Sequence, residues 1–162
     1  MMLYFAHNFN DRIKFREIEL QLEQELGIQL LNPFYDDSSR IEEMAELDAR
    51  KANDVARIKD LQEKKTFKNR FNTDNADAEL IVRRDLTNLA KSDGLFTIVD
   101  KPSFGTAIEI CNAVLMKKPV YFVSEIYSDH PWIKIYATKT FKNLDEFKQY
   151  IKKLYEIEER IK

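Results

Sequence analysis

The 162-residue sequence predicts a doubly wound α/β domain built on a five-stranded parallel sheet, and three observations lead there. Short apolar runs that do not alternate, Met2–Ala6 and Val120–Val123 among them, read as strands buried on both faces. Stretches with apolar residues at helical spacing separate these runs, so strand and helix alternate along the chain. The length suits a single domain spanning 1–162, and 44% hydrophobic with 12% aromatic residues is enough to build one core.

The first strand, Met2–Ala6, leads to a helix in which Phe15, Ile18, Leu22 and Leu26 recur at helical spacing. Asn10 is placed to cap its start, and Gly27 stands where a left-handed residue ends a helix. Residues 28–31 form a second strand, stopped by Asn32-Pro33. Residues 36–78 differ in character, being dense in charge, almost free of aromatic residues before Phe67, and without Gly or Pro. Ile41, Met44, Leu47, Val55, Ile58 and Leu61 are spaced mostly by threes and fours, which predicts a charged helical insertion after strand two rather than a disordered linker. Such an insertion is either a solvated excursion with one packed face or a lid or oligomer contact.

A helix over 76–92, carrying Leu80, Ile81, Leu86 and Leu89, delivers the chain to a third strand at 95–99, ended by Asp100-Lys101-Pro102. A helix over about 105–117, the strand Val120–Val123 and a weaker strand at 133–136 follow. The last helix has the clearest pattern: Asn143 and Glu146 stand as a capping pair, and Leu144, Phe147, Ile151 and Leu154 share one face with Ile157 and Ile161. Five strands alternating with helices make a flavodoxin- or Rossmann-like sheet flanked by helices, whose ligands bind at the carboxyl ends of the strands. No internal repeat or low-complexity tract interrupts it.

Charge excludes several function classes. With 26 basic and 28 acidic residues the net charge is −2, so no global field invites nucleic acid or an anionic membrane, and any anion must be held by a local site. No stretch approaches the roughly 18 to 20 apolar residues of a membrane span. Met1-Met2-Leu3-Tyr4 runs into an apolar strand rather than a basic signal region, so a cytoplasmic protein is expected. The single cysteine, Cys111, leaves no internal disulfide and no multi-cysteine zinc site, and in an apolar helix it reads as a buried small hydrophobe.

Polar residues gather at the expected strand ends: His7, Asn8, Asn10, Asp11 and Arg12 after the first, Asn32, Tyr35 and Asp36 after the second, and the run from Ser103 to Glu109 after the third. The third group carries the most information. Gly105 lets backbone approach a ligand, and first-turn amides with the Ser103 and Thr106 hydroxyls make a pocket for an anion or a sugar hydroxyl. Glu109 follows about one turn into the helix, where the dipole favours a carboxylate nucleophile. Alone, a Gly-Thr turn and a helical Glu also fit plain packing and surface roles. The second carboxylate, Asp85 on the preceding helix, strengthens the chemical reading if its face points inward and Arg83 and Arg84 mark the solvated one. Two carboxylates in different environments can divide into nucleophile and general acid, as glycosidic-bond cleavage requires.

Leu3-Tyr4-Phe5-Ala6, Asn32-Pro33-Phe34, Arg84-Asp85-Leu86, Ser92-Asp93-Gly94 and Ser103-x-Gly105-Thr106-x-x-Glu109, followed by Ala113 and Lys118-Pro119-Val120, together resemble the nucleoside 2-deoxyribosyltransferase superfamily from Met2 to about Val123. The resemblance implies a five-stranded parallel sheet, a homodimer or higher homo-oligomer in which a neighbouring subunit helps close each site, and neither metal nor organic cofactor. It implies that Glu109 attacks the anomeric carbon of a (deoxy)nucleoside, that Asp85 helps protonate the departing base, and that Tyr4 lies near the nucleophile. Ser103 matches the serine that binds phosphate in the 2′-deoxynucleoside 5′-monophosphate N-hydrolase branch, where transferases often carry an aspartate. Asn8 and Arg12, in the loop after strand one, complete the expected substrate-binding set with Gly105 and Thr106. That loop, His7-Asn8-Phe9-Asn10-Asp11-Arg12, has one arginine and no glycine, unlike the glycine-rich loop of the hydrolases. Transfer to a free base and hydrolysis by water both stay open.

Two other readings stand beside this one. A cytokinin-type phosphoribohydrolase has a similar Gly-Thr-x-x-Glu turn, but a Pro-Gly-Gly run precedes it there, and here the chain reads Lys101-Pro102-Ser103-Phe104. A catalytically silent nucleotide-binding module could use the same fold. His130 and Trp132 are expected to be structural.

Overall fold

The computed structural model describes residues 1–35 and 75–161, so the insertion expected over 36–78 lies outside the described residues up to position 74. The elements are β1 (Met2–Ala6), a 3-10 turn (Phe9–Asp11), α1 (Arg12–Leu26), β2 (Gln29–Leu31), α2 (Asn75–Lys91), β3 (Gly94–Ile98), α3 (Phe104–Leu115), β4 (Val120–Val123), α4 (Pro131–Tyr136), β5 (Lys139–Phe141) and α5 (Leu144–Ile161). All five strands are parallel, in the order β2-β1-β3-β4-β5. The chain leaves β1 for β2 on one side and returns to β3 on the other. The order therefore reverses between β1 and β3, and their carboxyl ends frame the crevice where such sheets bind ligands.

Alternation along each strand feeds two separate cores. Leu3 and Phe5 of β1, Phe96 of β3 and Phe141 of β5 join Phe15 and Leu22 of α1 and Phe147 and Ile151 of α5. Phe96 stacks on Phe147 with ring centroids 4.3 Å apart, and Phe5 on Phe96 at 5.1 Å, so aromatic rings fill the span between sheet and helices. Tyr4 and Ala6 face the other way, with Leu95, Val120 and Phe122, against Leu89 of α2 and Ile110 and Ala113 of α3. Burying both faces explains why β1, β3 and β4 read as unbroken apolar runs.

Local signals account for most element ends. Gly27 adopts φ 64° and its N–H reaches the Glu23 carbonyl at 3.0 Å, closing α1 as expected. Asn143 Oδ1 accepts from the Glu146 N–H at 3.0 Å, and Glu146 Oε2 accepts from the Lys142 N–H at 2.9 Å, so the capping pair of α5 forms. At Gly94 an added Cβ would lie 2.8 Å from the Pro119 carbonyl oxygen, so the approach of β3 to the start of β4 excludes a side chain.

Two local expectations are corrected. The start of the first helical segment is capped by Asn8, not Asn10: its Oδ1 accepts from the Asn10 N–H at 3.0 Å and opens the 3-10 turn that precedes α1. Residues 133–136 are helical, not a strand, because Pro131 at the first helical position pre-sets its φ for a helix. Ile133 and Tyr136, three apart, pack on the second core, while Ile135 is 80% exposed. The fifth strand lies at Lys139–Phe141, where only Phe141 is buried.

Candidate active site

Tyr4 sits at the middle of β1, opposite Leu31 on one side and Leu95 on the other, with its side chain wholly buried. A buried phenol needs a hydrogen-bond partner. Its hydroxyl donates to Oε1 of Glu109 at 2.7 Å, across the layer between sheet and α3. Glu109 is half-buried and lies at the start of the second turn of α3, about one turn in as its sequence position suggested. Dipole effects fade beyond the first turn, so the phenol, rather than the helix end, is what holds this carboxylate.

Ser103 caps α3. Its Oγ accepts from the Thr106 N–H at 3.2 Å and donates to Thr106 Oγ1 at 2.8 Å, while its carbonyl takes the Ala107 N–H at 3.1 Å. The Phe104 and Gly105 amides remain at the outward end of the helix. An added Cβ at Gly105 would meet nothing within 4 Å, so the space that glycine leaves there is open.

Asp85 stands on α2, which packs beside α3, and is ion-paired with Arg84 at 3.1 Å. Their side chains are 15% and 18% exposed, so Arg84 does not belong to the solvated face of α2; only Arg83 does. Asn8 and Arg12 come together in the turn after β1. There the buried Arg12 guanidinium lies 4.3 Å above the Phe9 ring and donates to the Phe9 carbonyl at 3.0 Å. The structure thus places most of the expected residues in three groups, Tyr4 with Glu109, Ser103 with Gly105 and Thr106, and Asn8 with Arg12, while Asp85 is held by Arg84 on α2.

A buried polar chain behind the β1 and β2 ends was not foreseen. Asn32, fully buried, donates from Nδ2 to Glu19 Oε2 at 2.6 Å, and its Oδ1 accepts from the Phe34 N–H at 3.0 Å. The same Oδ1 lies 3.3 Å from His7 Nε2, and His7 Nδ1 lies 3.1 Å from the Asn8 carbonyl. Arg16 pairs with the other Glu19 oxygen. Burial among Phe5, Phe15 and Phe34 lowers the His7 pKa to about 4. One signal for this network was present in the sequence: Glu19 stands on the apolar stripe of α1, four after Phe15 and three before Leu22.

Among the described residues no group of three or more His, Cys, Asp or Glu is placed to hold a metal ion, and no helix is long and apolar enough to cross a membrane.

No protein-family model matches the sequence, and no curated protein matches it. Solved structures do. A 2-deoxyribosyltransferase from the psychrotolerant bacterium Bacillus psychrosaccharolyticus superposes with a TM-score of 0.60 at 17% identity, over 91% of this chain and 90% of that one. A conserved protein from Enterococcus faecalis V583 gives a TM-score of 0.58 at 17% identity, over 94% of this chain and 98% of that one. With its all-parallel sheet and flanking helices, the chain has the nucleoside 2-deoxyribosyltransferase-like fold.

Proposed function

We propose that this chain is a cytoplasmic nucleoside 2-deoxyribosyltransferase-like enzyme that cleaves the N-glycosidic bond of a (deoxy)nucleoside or its 5′-monophosphate, with Glu109 as nucleophile. The observation that carries this reading is the 2.7 Å bond from the buried Tyr4 hydroxyl to Glu109, at the switch point of a sheet with this fold. A surface glutamate needs no buried phenol; an oxygen that must meet a carbon in one direction gains from being held.

In the first step a Glu109 carboxylate oxygen bonds to the anomeric carbon as the carbon–nitrogen bond breaks, and its electron pair leaves with the base. Asp85, once the incoming substrate displaces its ion pair with Arg84, carries the proton that the departing base takes. In the second step a free base attacks the same carbon, its proton returns to Asp85, and Glu109 departs as carboxylate. Water in place of the base makes the chain a 2′-deoxynucleoside 5′-monophosphate N-hydrolase. The neutral Ser103 hydroxyl at the open end of α3 supports that second reading, since it does not repel a phosphate. Gly105, Thr106, Asn8 and Arg12 complete the substrate-binding set, and no step calls for a metal or organic cofactor.

A homo-oligomer is part of this reading. Phe104, Ile108 and Leu115 form a stripe along α3, 92%, 58% and 77% exposed, that turns away from the sheet. Apolar side chains so aligned suit a subunit contact better than solvent.

The test is chromatographic: the protein and its Glu109→Gln variant are incubated with deoxynucleosides and deoxynucleoside 5′-monophosphates, with and without a free acceptor base. Base exchange that requires the acceptor and vanishes in Glu109→Gln is expected for the transferase, and base release from monophosphates for the hydrolase. Absence of Glu109-dependent turnover across the panel leaves a nucleotide-binding module.

A further inference from the structure

The two flanks of α3 are chemically different. Glu109 faces β1 and Tyr4, whereas Cys111, two residues on and about 200° around the helix, faces the opposite way. On that second flank a cavity of about 410 Å³ opens between α3 and α4, floored by Val99 and Phe122 at the ends of β3 and β4. Thr106, Ala107, Ile110 and Cys111 line it from α3, and Trp132, Ile133 and Tyr136 from α4. Tyr127 and His130 close the side between β4 and α4. Ser103 and Thr106 of the substrate-binding set form one edge of this space, and the proposed glycosyl chemistry uses none of the rest.

We propose that this cavity is a second small-molecule site, on the flank of α3 away from Glu109 and sharing only its Ser103–Thr106 edge with the substrate site, that takes a flat aromatic ring system of low polarity. Its volume falls within the roughly 300–1,000 Å³ of ligand pockets. Four ring-bearing side chains, Tyr127, His130, Trp132 and Tyr136, surround it, and aromatic walls favour stacked or edge-on rings. Beyond the Ser103 and Thr106 hydroxyls at its edge, the Val99, Ala107, Ile110 and Phe122 walls offer nothing to the polar edge of a nucleobase. A polar ring entering here would leave donors and acceptors unpaired, and a hydrocarbon-like ring would not.

The cavity wall carries the only tryptophan and the only cysteine of the chain, Trp132 and Cys111, which makes the site readable in the unmodified protein. The probe is N-phenyl-1-naphthylamine, a neutral aromatic amine. Expected are single-site binding with energy transfer from Trp132 and slower alkylation of Cys111 by N-ethylmaleimide, about tenfold slower at ten times the probe Kd. Ala107→Phe, which fills the mouth, should weaken binding by about tenfold or more. Trp132→Phe should lose the energy transfer and keep the Cys111 protection, and Glu109→Gln should bind as the parent does. That last result keeps this site independent of the glycosyl reading. Probe binding without protection of Cys111, or binding indifferent to Ala107→Phe, overturns the proposal. So does equal competition by adenine, which would make the cavity a nucleobase site. Loss of binding as the chain self-associates would make it a subunit contact and equally defeat the assignment.

Discussion

The Tyr4 hydroxyl donates to Glu109 Oε1 at 2.7 Å, although 105 positions separate the two residues in the chain. Tyr4→Phe keeps the ring in its core layer and removes only this bond. The expected cost is about 1 kcal/mol of stability and about tenfold to a hundredfold in kcat/KM. Glu109→Gln, by contrast, should remove turnover and leave urea unfolding nearly unchanged. Parent-like kinetics for Tyr4→Phe in base release would show that the phenol does not position the nucleophile.

Asn32 links two loops of the crevice through one side chain. Asn32→Ala leaves the buried Glu19 oxygen without its 2.6 Å donor and the Phe34 N–H without its acceptor. Buried polar groups that lose a partner are costly, and about 3 kcal/mol is expected, read as a lower urea midpoint at unchanged m-value. Leu20→Ala, an exposed truncation on the same helix as Glu19, should cost far less.

His7 makes stability depend on pH. Its folded pKa, about 4, is below the ordinary 6.5, so the folded state holds it neutral and the unfolded chain binds the proton more readily. Stability from this group is therefore complete above about pH 6.5 and is lost as pH falls toward 4. The loss should be about 2 kcal/mol at pH 5 and about 3 kcal/mol at pH 4. Urea melts across that range, with the His7 ring followed by NMR, check both sign and window. A ring that titrates near 6.5 in the folded protein contradicts the prediction.

Gly94 and Gly105 should respond oppositely to alanine. Gly94→Ala drives a Cβ against the Pro119 carbonyl and should cost about 1–3 kcal/mol. Gly105→Ala meets nothing and places a better helix former in α3, so it should gain up to about 1 kcal/mol. If the space beside Gly105 receives substrate, the same change raises KM, and steady-state kinetics beside thermal melts separate the two effects.

Ile108→Glu puts a charge on the exposed apolar stripe of α3. Sedimentation velocity should show the parent as an oligomer and this variant shifted toward monomer, with unchanged circular dichroism. A monomeric parent at micromolar concentration would remove the subunit contact from the proposed function.

Periodicity is a local property, so four of the five strands, the flanking helices and the Gly27 and Asn143 end signals could be read from one-dimensional pattern. The short elements escaped, because Lys139–Phe141 contributes one buried residue and Pro131–Tyr136 alternates like a strand although its proline starts a helix. Glu109 and Ser103 were recognisable from residue types near a strand end. The Tyr4–Glu109 meeting was not legible from pattern, and only the family resemblance put Tyr4 near the nucleophile. Tyr4 meets Glu109 only because β1 lies beside β3 with α3 packed across them, and Glu19 meets Asn32 only because α1 folds back on the β2 end. Burial then made those meetings binding, since a phenol or a carboxylate removed from water must find its partner wherever the fold has placed one.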